Sequence, residues 1–231
     1  MQRAVEAFTT YLNRHRSLSD NTIRAYIGDL DSLSRHLAAL GVTDLATLNI
    51  SHLRSWLANQ QSKGASRTTL SRRATSIKLF TKWAYKEGLI PTDIGGNLAT
   101  PKAHRVLPEI LDVKSADLAM QSLESFAEES GELSAIRNLA MVEVLYASGA
   151  RVSELCGLDL KDVDYERQTI RVIGKGSKER VIPIGRPAIA ALEKWLSVRP
   201  QLANEKSGDA IFLGARGKRI DQRQVREVVY K

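Results

Sequence analysis

Apolar and polar positions alternate with a helical period through the first hundred residues of the chain. Apolar side chains recur three and four residues apart in four stretches, at 5–12, 23–40, 53–57 and 70–84. This period places them on one face of an amphipathic helix. Polar helix starts and glycine ends, such as Ser66 and Gly88, separate the stretches. Because no strand pattern competes, residues 1–96 are predicted to form a four-helix bundle.

The pattern changes after residue 96. Residues 97–110 contain Pro101 and Pro108 without an apolar period and are predicted to be an extended linker. Within residues 111–231, helical and strand-like spacings are mixed. Helical spacing recurs at 113–128, 134–146, 186–198 and 221–230, and strand-like alternation at 168–173 and 180–184. The predicted fold class is mainly α with two domains, a helical bundle followed by an α+β domain with a small antiparallel sheet.

The net charge of +8 lies entirely in the first part of the chain. Residues 1–105 hold 15 Lys and Arg against 7 Asp and Glu, whereas residues 106–231 hold 19 of each. This asymmetry favours a module that binds a polyanion such as nucleic acid, joined to a second module with another task. A soluble protein that happens to be basic is the alternative.

The single cysteine, Cys156, excludes an internal disulfide and fits a reducing compartment. No uninterrupted apolar run is long enough to cross a bilayer. The N-terminus lacks the apolar core of a signal peptide and is predicted to be an amphipathic helix. These features predict a cytoplasmic protein that does not associate with membranes.

Arg151 follows Gly149 and opens the stretch Val152–Leu155. A turn that leads into a helix N-terminus presents backbone donors and the positive end of the helix dipole. An arginine at this place can hold a phosphate through two parallel hydrogen bonds. Glu154, three residues further on, lies on the same helical face and could orient the guanidinium. A plain structural Arg–Glu pair is the alternative.

Lys175 stands between Gly174 and Gly176 in the predicted hairpin turn. Such a tip exposes the ammonium, which can donate a proton to a leaving oxygen as a general acid. A solvated turn lysine is the alternative. A phosphate-cradling Walker loop is excluded, because that loop opens a helix and this one is followed by a strand.

Together, the segments Ser148–Leu155 and Gly174–Arg180 resemble the arginine and lysine motifs of the tyrosine recombinases, the phage integrase family. Leu18–Tyr26 and Thr69–Trp83 look like the second and fourth helices of the family's core-binding domain. The resemblance covers nearly the whole chain. It implies that a tyrosine attacks the scissile phosphate of DNA and forms a 3′-phosphotyrosyl link. No metal or nucleotide cofactor is implied, because fixed cations neutralise the developing charge.

The resemblance also implies roles for individual residues of the second domain. Arg151 matches the family's first catalytic arginine, and Glu154 would support it. Lys175 matches the lysine that protonates the leaving 5′-oxygen. Lys178, in the same loop, has no acid role in the motif and is expected to touch a backbone phosphate.

The first domain would then be one arm of a clamp around duplex DNA. Its expected DNA contacts lie on the fourth predicted helix, away from the apolar stripe, and at the start of the second: Arg72, Arg73, Lys78, Lys82, Thr22 and Arg24. Most of them would touch phosphate, with some base reading in the major groove. A solvated basic face is the alternative.

The family's nucleophilic tyrosine and its His-x-x-Arg motif are not found within the chain. No histidine follows His104, and Tyr230 lies on a predicted helix before the place where His-x-x-Arg is expected. The missing motifs are expected to follow Lys231, so the catalytic domain is expected to be truncated. The 231-residue chain is therefore predicted to be inactive by itself.

The resemblance extends to function and partners. Residues 212–225 look most like those of the recombinases that resolve chromosome dimers. The implied partners are a recombination site in double-stranded DNA, a second recombinase in a tetramer on that DNA, and a DNA translocase as activator. Two other functions stay open: a non-catalytic truncated recombinase or regulator that occupies recombination sites, and a helical interaction protein unrelated to DNA.

Overall fold

Four α-helices form the first half of the chain in the computed structural model, which describes residues 1–14, 18–100, 112–174, 176 and 178–230. They are α1 (Gln2–Arg14), α2 (Asp20–Ala39), α3 (Ile50–Ser62) and α4 (Arg67–Lys86). Two short 3-10 turns, Leu45–Thr47 and Ile94–Asn97, follow α2 and α4. The predicted four-helix bundle is confirmed.

Side-chain caps explain where these helices begin. Ser19 Oγ accepts a hydrogen bond from the backbone N–H of Thr22 before α2, and Ser66 Oγ accepts one from Thr69 before α4. Asn49 caps α3 in the same way. Each cap gives a partner to an N–H group that the first turn of a helix leaves unpaired.

An aromatic cluster holds the first helices together. The ring of Phe8 on α1 meets the ring of Phe80 on α4 edge to face, with centroids 5.3 Å apart, and lies 5.2 Å from Trp83. Trp56 on α3 is fully buried and donates its indole N–H to Ser32 Oγ at 3.3 Å. Burial of each large apolar side chain stabilises the fold by about 1.5–3 kcal/mol, so these aromatic side chains stabilise the packing of the bundle.

The second half of the chain combines helices with a three-stranded antiparallel sheet in the order β1-β2-β3. Its elements are α5 (Val113–Ser130), α6 (Leu133–Ser148), α7 (Val152–Gly157), β1 (Val163–Asp164), β2 (Thr169–Ile173), β3 (Glu179–Pro183), α8 (Gly185–Val198) and α9 (Gln222–Val229). Pro183 lies on the edge strand β3, where a missing N–H removes no bond to a further strand. The predicted small sheet is confirmed, and β1 is an additional strand too short to show alternation.

Helix α6 lies at the centre of this second half and packs against α5 and α8. Met141 of α6 and Trp195 of α8 are fully buried. Trp195 donates its indole N–H to the carbonyl of Ile211 at 2.9 Å, which fixes the segment before α9 to the core. Cys156 at the end of α7 is also buried, and burial raises the pKa of its thiol.

The chain divides into two compact units, Met1–Pro108 and Glu109–Lys231. Most of the predicted linker, residues 97–110, lies outside the described residues. Leu98 is described, is 3% exposed and belongs to the core of the first unit. The core of the first unit therefore continues past residue 96. The sequence did not indicate this, because Pro101 and Pro108 downstream are typical of a linker. In the described parts of both units, no helix combines the length and apolar character needed to cross a bilayer.

Replacement of Gly95 by alanine is expected to destabilise the first unit. A Cβ atom at Gly95 would lie 2.1 Å from Thr81 Oγ1 and 3.1 Å from the Cα of Lys78. Thr81 has little freedom to move, because its hydroxyl is hydrogen-bonded to Lys78 O and Asp93 Oδ1. We expect the free energy of unfolding to fall by about 1–3 kcal/mol, measured by chemical denaturation.

Gly96 is the matched control. A Cβ atom there meets only Asp93 Oδ2, at 3.9 Å, and the residue is exposed. Gly96→Ala should change stability by no more than about 0.5 kcal/mol. Equal stability of the two variants would show that the contact at Gly95 is not restrictive.

Candidate active site and nucleic-acid interface

Arg151 occupies the N-cap position of α7, two residues after the left-handed Gly149 that ends α6. Its backbone N–H donates to Glu154 Oε2 at 2.7 Å, and its Nη1 donates to Oε1 at 2.9 Å. The arginine side chain is 67% exposed, whereas that of Glu154 is 2% exposed. The buried carboxylate thus anchors a largely exposed guanidinium. Its remaining N–H groups can donate hydrogen bonds to an anion such as phosphate.

The same carboxylate also binds Arg180 of β3. Arg180 Nη1 and Nη2 donate to Glu154 Oε1 and Oε2, each at 2.7 Å, in a bidentate pair. Hydrogen bonds from Arg180, assisted by those from Arg151, lower the pKa of Glu154 to about 2 despite its burial. Glu154 is therefore ionised at neutral pH and ties the start of α7 to the β2–β3 hairpin.

Gly174 at the end of β2 lets this hairpin approach the ion pair. A Cβ atom there would lie 3.2 Å from both Glu154 Oε1 and Arg180 Nη1. The backbone N–H of Gly174 donates to Lys178 O at 2.8 Å and closes the turn, and the Lys178 side chain is exposed. Lys175, the predicted proton donor, lies outside the described residues.

The sequence motifs alone do not assign a role to Arg180. Arg180 belongs to the segment Gly174–Arg180, in which the family resemblance implies roles only for Lys175 and Lys178. The signal that could have found it is the pairing of strands: Arg180 lies opposite Val172, at a position where a long side chain reaches past the glycine toward α7. Because Glu154 is buried and Arg151 is largely exposed, a second cation is also expected beside this carboxylate.

Two further carboxylates hold arginines in the second unit. Asp162 binds Arg171 of β2, with Nη2 to Oδ1 at 2.6 Å, and Asp159 binds Arg219, with Nη2 to Oδ1 at 2.5 Å. These pairs fix the loop after α7 to the sheet and to the segment before α9. Among the described side chains, no group of three or more His, Cys, Asp or Glu residues is arranged to hold a metal ion.

The predicted DNA contacts of the first unit differ in their surroundings. Arg24 and Lys82 are exposed, and Arg24 donates a hydrogen bond to Asn21 Oδ1 at 3.3 Å. Lys78 is half-buried along the surface of α4. Thr22 shares a hydrogen bond with the capping Ser19, 2.9 Å between hydroxyls, so its hydroxyl supports the helix start.

Arg72 and Arg73 are less exposed than their predicted position on α4, away from the apolar stripe, would suggest. The side chain of Arg73 is only 19% exposed, its Nη1 donates to Gln60 Oε1 at 2.6 Å, and its guanidinium lies 5.9 Å from the ring centroid of Trp56. Arg73 follows Leu70 by three residues, a spacing that places it on the buried face of α4. Arg72 is 38% exposed and is paired with a carboxylate.

That carboxylate is Asp29 of α2, which is 3% exposed. It accepts hydrogen bonds from Arg72 Nη1 and, at 3.1 Å, from Ser76 Oγ, and its Oδ1 lies 3.5 Å from Arg73 Nε. Burial raises the pKa of Asp29, and the two arginines and Ser76 oppose that shift. A polar network therefore connects α2 with α4 beneath the surface.

Comparison with known proteins identifies the family. The Phage integrase family matches residues 112–231, and the phage integrase N-terminal SAM-like domain matches residues 5–88. The chain belongs to the phage integrase family of tyrosine recombinases, which confirms the family and the recombinase function predicted from the two motifs. By family it is therefore a DNA recombinase.

Its relatives include tyrosine recombinases named XerC. The chain is 47% identical over 233 residues to XerC of Mycobacterium sp. (strain JLS) and 47% identical over 232 residues to XerC of Mycobacterium tuberculosis (strain ATCC 25177 / H37Ra). Each match covers 100% of this chain and 77% of the relative.

Solved structures share the fold. A lambda integrase(75–356) dimer bound to a COC′ core site matches with a TM-score of 0.72 at 17% identity, over 100% of this chain and 79% of that one. The Tn1549 transposon integrase in complex with circular intermediate DNA matches with a TM-score of 0.67 at 20% identity, over 94% and 73%.

The Glu154 ion pair should make the second unit sensitive to acid. The folded-state pKa of about 2 lies below the ordinary value of 4.5. The stabilisation is thus fully present above about pH 4.5 and is lost as the pH falls toward 2. The loss should be on the order of 1–3 kcal/mol, since both arginines are partly solvated. The titration of Glu154 can be followed through its carboxyl carbon by NMR.

Variants of two arginines on neighbouring strands test the cause of that low pKa. Arg180→Ala should raise the pKa of Glu154, because it removes both hydrogen bonds of the bidentate pair. Arg171→Ala is the control, since Arg171 pairs with Asp162 and Glu179 instead. If Arg171→Ala shifts the titration as much as Arg180→Ala does, the pKa of Glu154 reflects general charge and not this pair.

Proposed function

We propose that this chain supplies the DNA-binding unit and the phosphate-holding part of a site-specific recombinase that cuts and rejoins DNA through a 3′-phosphotyrosyl intermediate. The observation that carries the proposal is the Arg151 guanidinium, fixed on a buried carboxylate and still 67% exposed. The mycobacterial relatives named XerC support a role in resolving chromosome dimers. A cytoplasmic location stays a prediction.

In this proposal, Arg151 binds two oxygens of the scissile phosphate through its planar fork of N–H donors. As a tyrosine hydroxyl attacks, negative charge grows on those oxygens, and a fixed cation stabilises that charge more in the transition state than in the ground state. The bond between phosphorus and the 5′-oxygen breaks, and Lys175 gives that oxygen a proton. The phosphotyrosyl link then keeps the strand end ready for rejoining.

Glu154 has a supporting role in the same step. Its charge is compensated by two arginines, so it holds Arg151 in place without attracting the proton that Lys175 must deliver. Lys178, exposed at the end of the turn, is proposed to contact a neighbouring backbone phosphate.

Double-stranded DNA is the proposed partner of the first unit. The excess of positive charge lies there, and Arg24, Lys78 and Lys82 are at or near its surface. Fold relatives support this, since they include an integrase dimer on a core site and a lambda integrase tetramer bound to a Holliday junction. We extend the proposal to a tetramer on DNA with a second, XerD-like recombinase, and to activation by a DNA translocase.

We further infer that residues 1–231 do not cleave DNA by themselves. The support is that no histidine follows His104 in these residues and that Tyr230 directly follows α9. A nicked suicide substrate should therefore give non-covalent binding only. A covalent protein–DNA adduct that survives SDS would contradict the inference and would also exclude a purely regulatory DNA-binding role.

Arg151 and Lys175 should fail in different ways in any form of the protein that makes the covalent adduct. Arg151→Ala should abolish cleavage, and Arg151→Lys should lose most of it, because an ammonium cannot form the planar fork. Lys175→Ala should be slow on ordinary DNA by about 10²–10⁴-fold, the usual contribution of a general acid. A 5′-bridging phosphorothioate, whose leaving group needs no proton, should restore cleavage only for Lys175→Ala.

Lys178→Ala is the control for that comparison, because it removes the same charge from the same turn. It should weaken binding slightly without any selective gain on the sulfur substrate. Equal rescue of the Arg151 and Lys175 variants, or a normal rate for Lys175→Ala on ordinary DNA, would show that the roles are wrongly assigned.

Exposed cations of the first unit should determine how DNA binding depends on salt. Replacing both Arg24 and Lys82 with alanine should lower the slope of log K against log salt by about two units, one for each lost phosphate contact. Replacing Arg54 and Lys63 of the α3 region removes the same charge from other exposed positions and should leave the slope nearly unchanged. Equal slopes in the two double variants would refute this interface.

A further inference from the structure

We propose that Asp29 is a positioning residue for DNA recognition. From inside the helical bundle it fixes the guanidinium of Arg72 at the surface, so that this arginine meets DNA in one orientation. The inference rests on the proposed function of the first unit as the DNA-binding module.

The contacts of Arg72 carry the proposal. Its Nη1 donates both to Asp29 Oδ2 and, at 3.2 Å, to the backbone carbonyl of Ala25. Both acceptors belong to α2, while Arg72 belongs to α4. One corner of the guanidinium is thus held from the neighbouring helix, which removes most of the rotamer freedom of a long side chain.

The opposite edge of this guanidinium is open. Within the described residues, no acceptor binds Nη2 or Nε of Arg72, and the side chain is 38% exposed. These two nitrogens form the edge that makes paired hydrogen bonds to a phosphate or to the O6 and N7 atoms of guanine. An arginine that is held at Nη1 and open at Nε and Nη2 is preorganised for such bidentate contacts.

The net charge of Asp29, Arg72 and Arg73 also favours binding of an anion. Asp29 compensates one of its two arginines, so the group of Asp29, Arg72 and Arg73 keeps one positive charge. The side chain of Arg73 is only 19% exposed and lies against Gln60 and Trp56, so of the two arginines it is Arg72 that can present N–H donors to a ligand.

Stability alone is a weak reason for a carboxylate at this place. Burial of a charge is costly, and buried ion pairs can often be replaced by apolar side chains without loss of stability. Ser76 Oγ adds a hydrogen bond to the oxygen that holds Arg72. The arrangement therefore directs Arg72 more than it strengthens the bundle.

Charge and orientation predict opposite effects when Asp29 becomes asparagine. If Asp29 acts only through its charge, its loss beside a polyanion should strengthen binding to every duplex. If Asp29 orients Arg72, its loss should weaken binding to the preferred sequence, because the Arg72 guanidinium is then no longer held in the orientation that makes two hydrogen bonds to DNA.

The test compares two duplexes of equal length, using the 231-residue protein. One is the tightest-binding duplex that the wild-type protein selects from a random library, and the other is an unselected sequence. Asp29→Asn should weaken binding to the selected duplex by about tenfold, the range of one base or phosphate contact, and should lower the ratio of affinities for the two duplexes. In an Arg72→Ala background, Asp29→Asn should not lower this ratio any further.

Asp31→Asn is the matched control, because Asp31 is an exposed acid on the same helix. It should leave the affinity ratio unchanged. Ser76→Ala keeps all charges and removes one hydrogen bond to Asp29, so it should lower the ratio in the same direction by a smaller factor, and it provides a second test if Asp29→Asn unfolds.

Two results would overturn the inference: an affinity ratio for Asp29→Asn and Ser76→Ala equal to that for Asp31→Asn, or a loss that persists without Arg72. Failure of the wild-type protein to bind any duplex would overturn the proposed DNA-binding function and this inference with it. Normal wild-type binding with an unchanged ratio in the variants would overturn the inference alone.

Discussion

The candidate active site depends on the ionised carboxylate of Glu154. This side chain is almost completely buried, yet it is held ionised by three hydrogen bonds from two arginine side chains and one from the backbone N–H of Arg151. A buried charge of this kind is tolerable only if its partners stay in place. The cost of separating the pair therefore holds Arg151 and the β2–β3 hairpin in a fixed relation, although they belong to different elements of the unit.

Both units use the same physical arrangement on different scaffolds. In each, a carboxylate below the surface binds a guanidinium that stays partly exposed: Asp29 with Arg72, and Glu154 with Arg151. The carboxylate fixes position, and the arginine keeps enough N–H donors for an anion. Because a carboxylate can hold two arginines at once, the net charge at each place stays positive. A protein that acts on a phosphate backbone can thus place cations accurately without many exposed, freely rotating lysines.

Much of the fold could be predicted from the sequence, because helical spacing, caps such as Ser66 and a glycine-bounded hairpin are local signals. The family could be predicted for a similar reason, since its two motifs are contiguous segments around Arg151 and Lys175. The network of Asp29 with Arg72 and Arg73 could not, because its partners lie more than forty residues apart and only the packing of α2 on α4 brings them together. The burial of Arg73 follows from its spacing of three residues from Leu70, whereas its residue type alone predicts an exposed position. Arg180 was hidden because its role depends on the register between β2 and β3.

Cys156 has a practical consequence for the study of the hairpin that carries Lys178. It is the single cysteine, it is buried, and its thiol is less acidic than that of an exposed cysteine. Since the thiolate is the reactive form, Cys156 should react slowly with maleimides and similar reagents. A cysteine introduced in place of the exposed Lys178 could then be labelled selectively in the native protein, without first replacing Cys156. A fluorophore or spin label at that position would make DNA binding close to it directly observable.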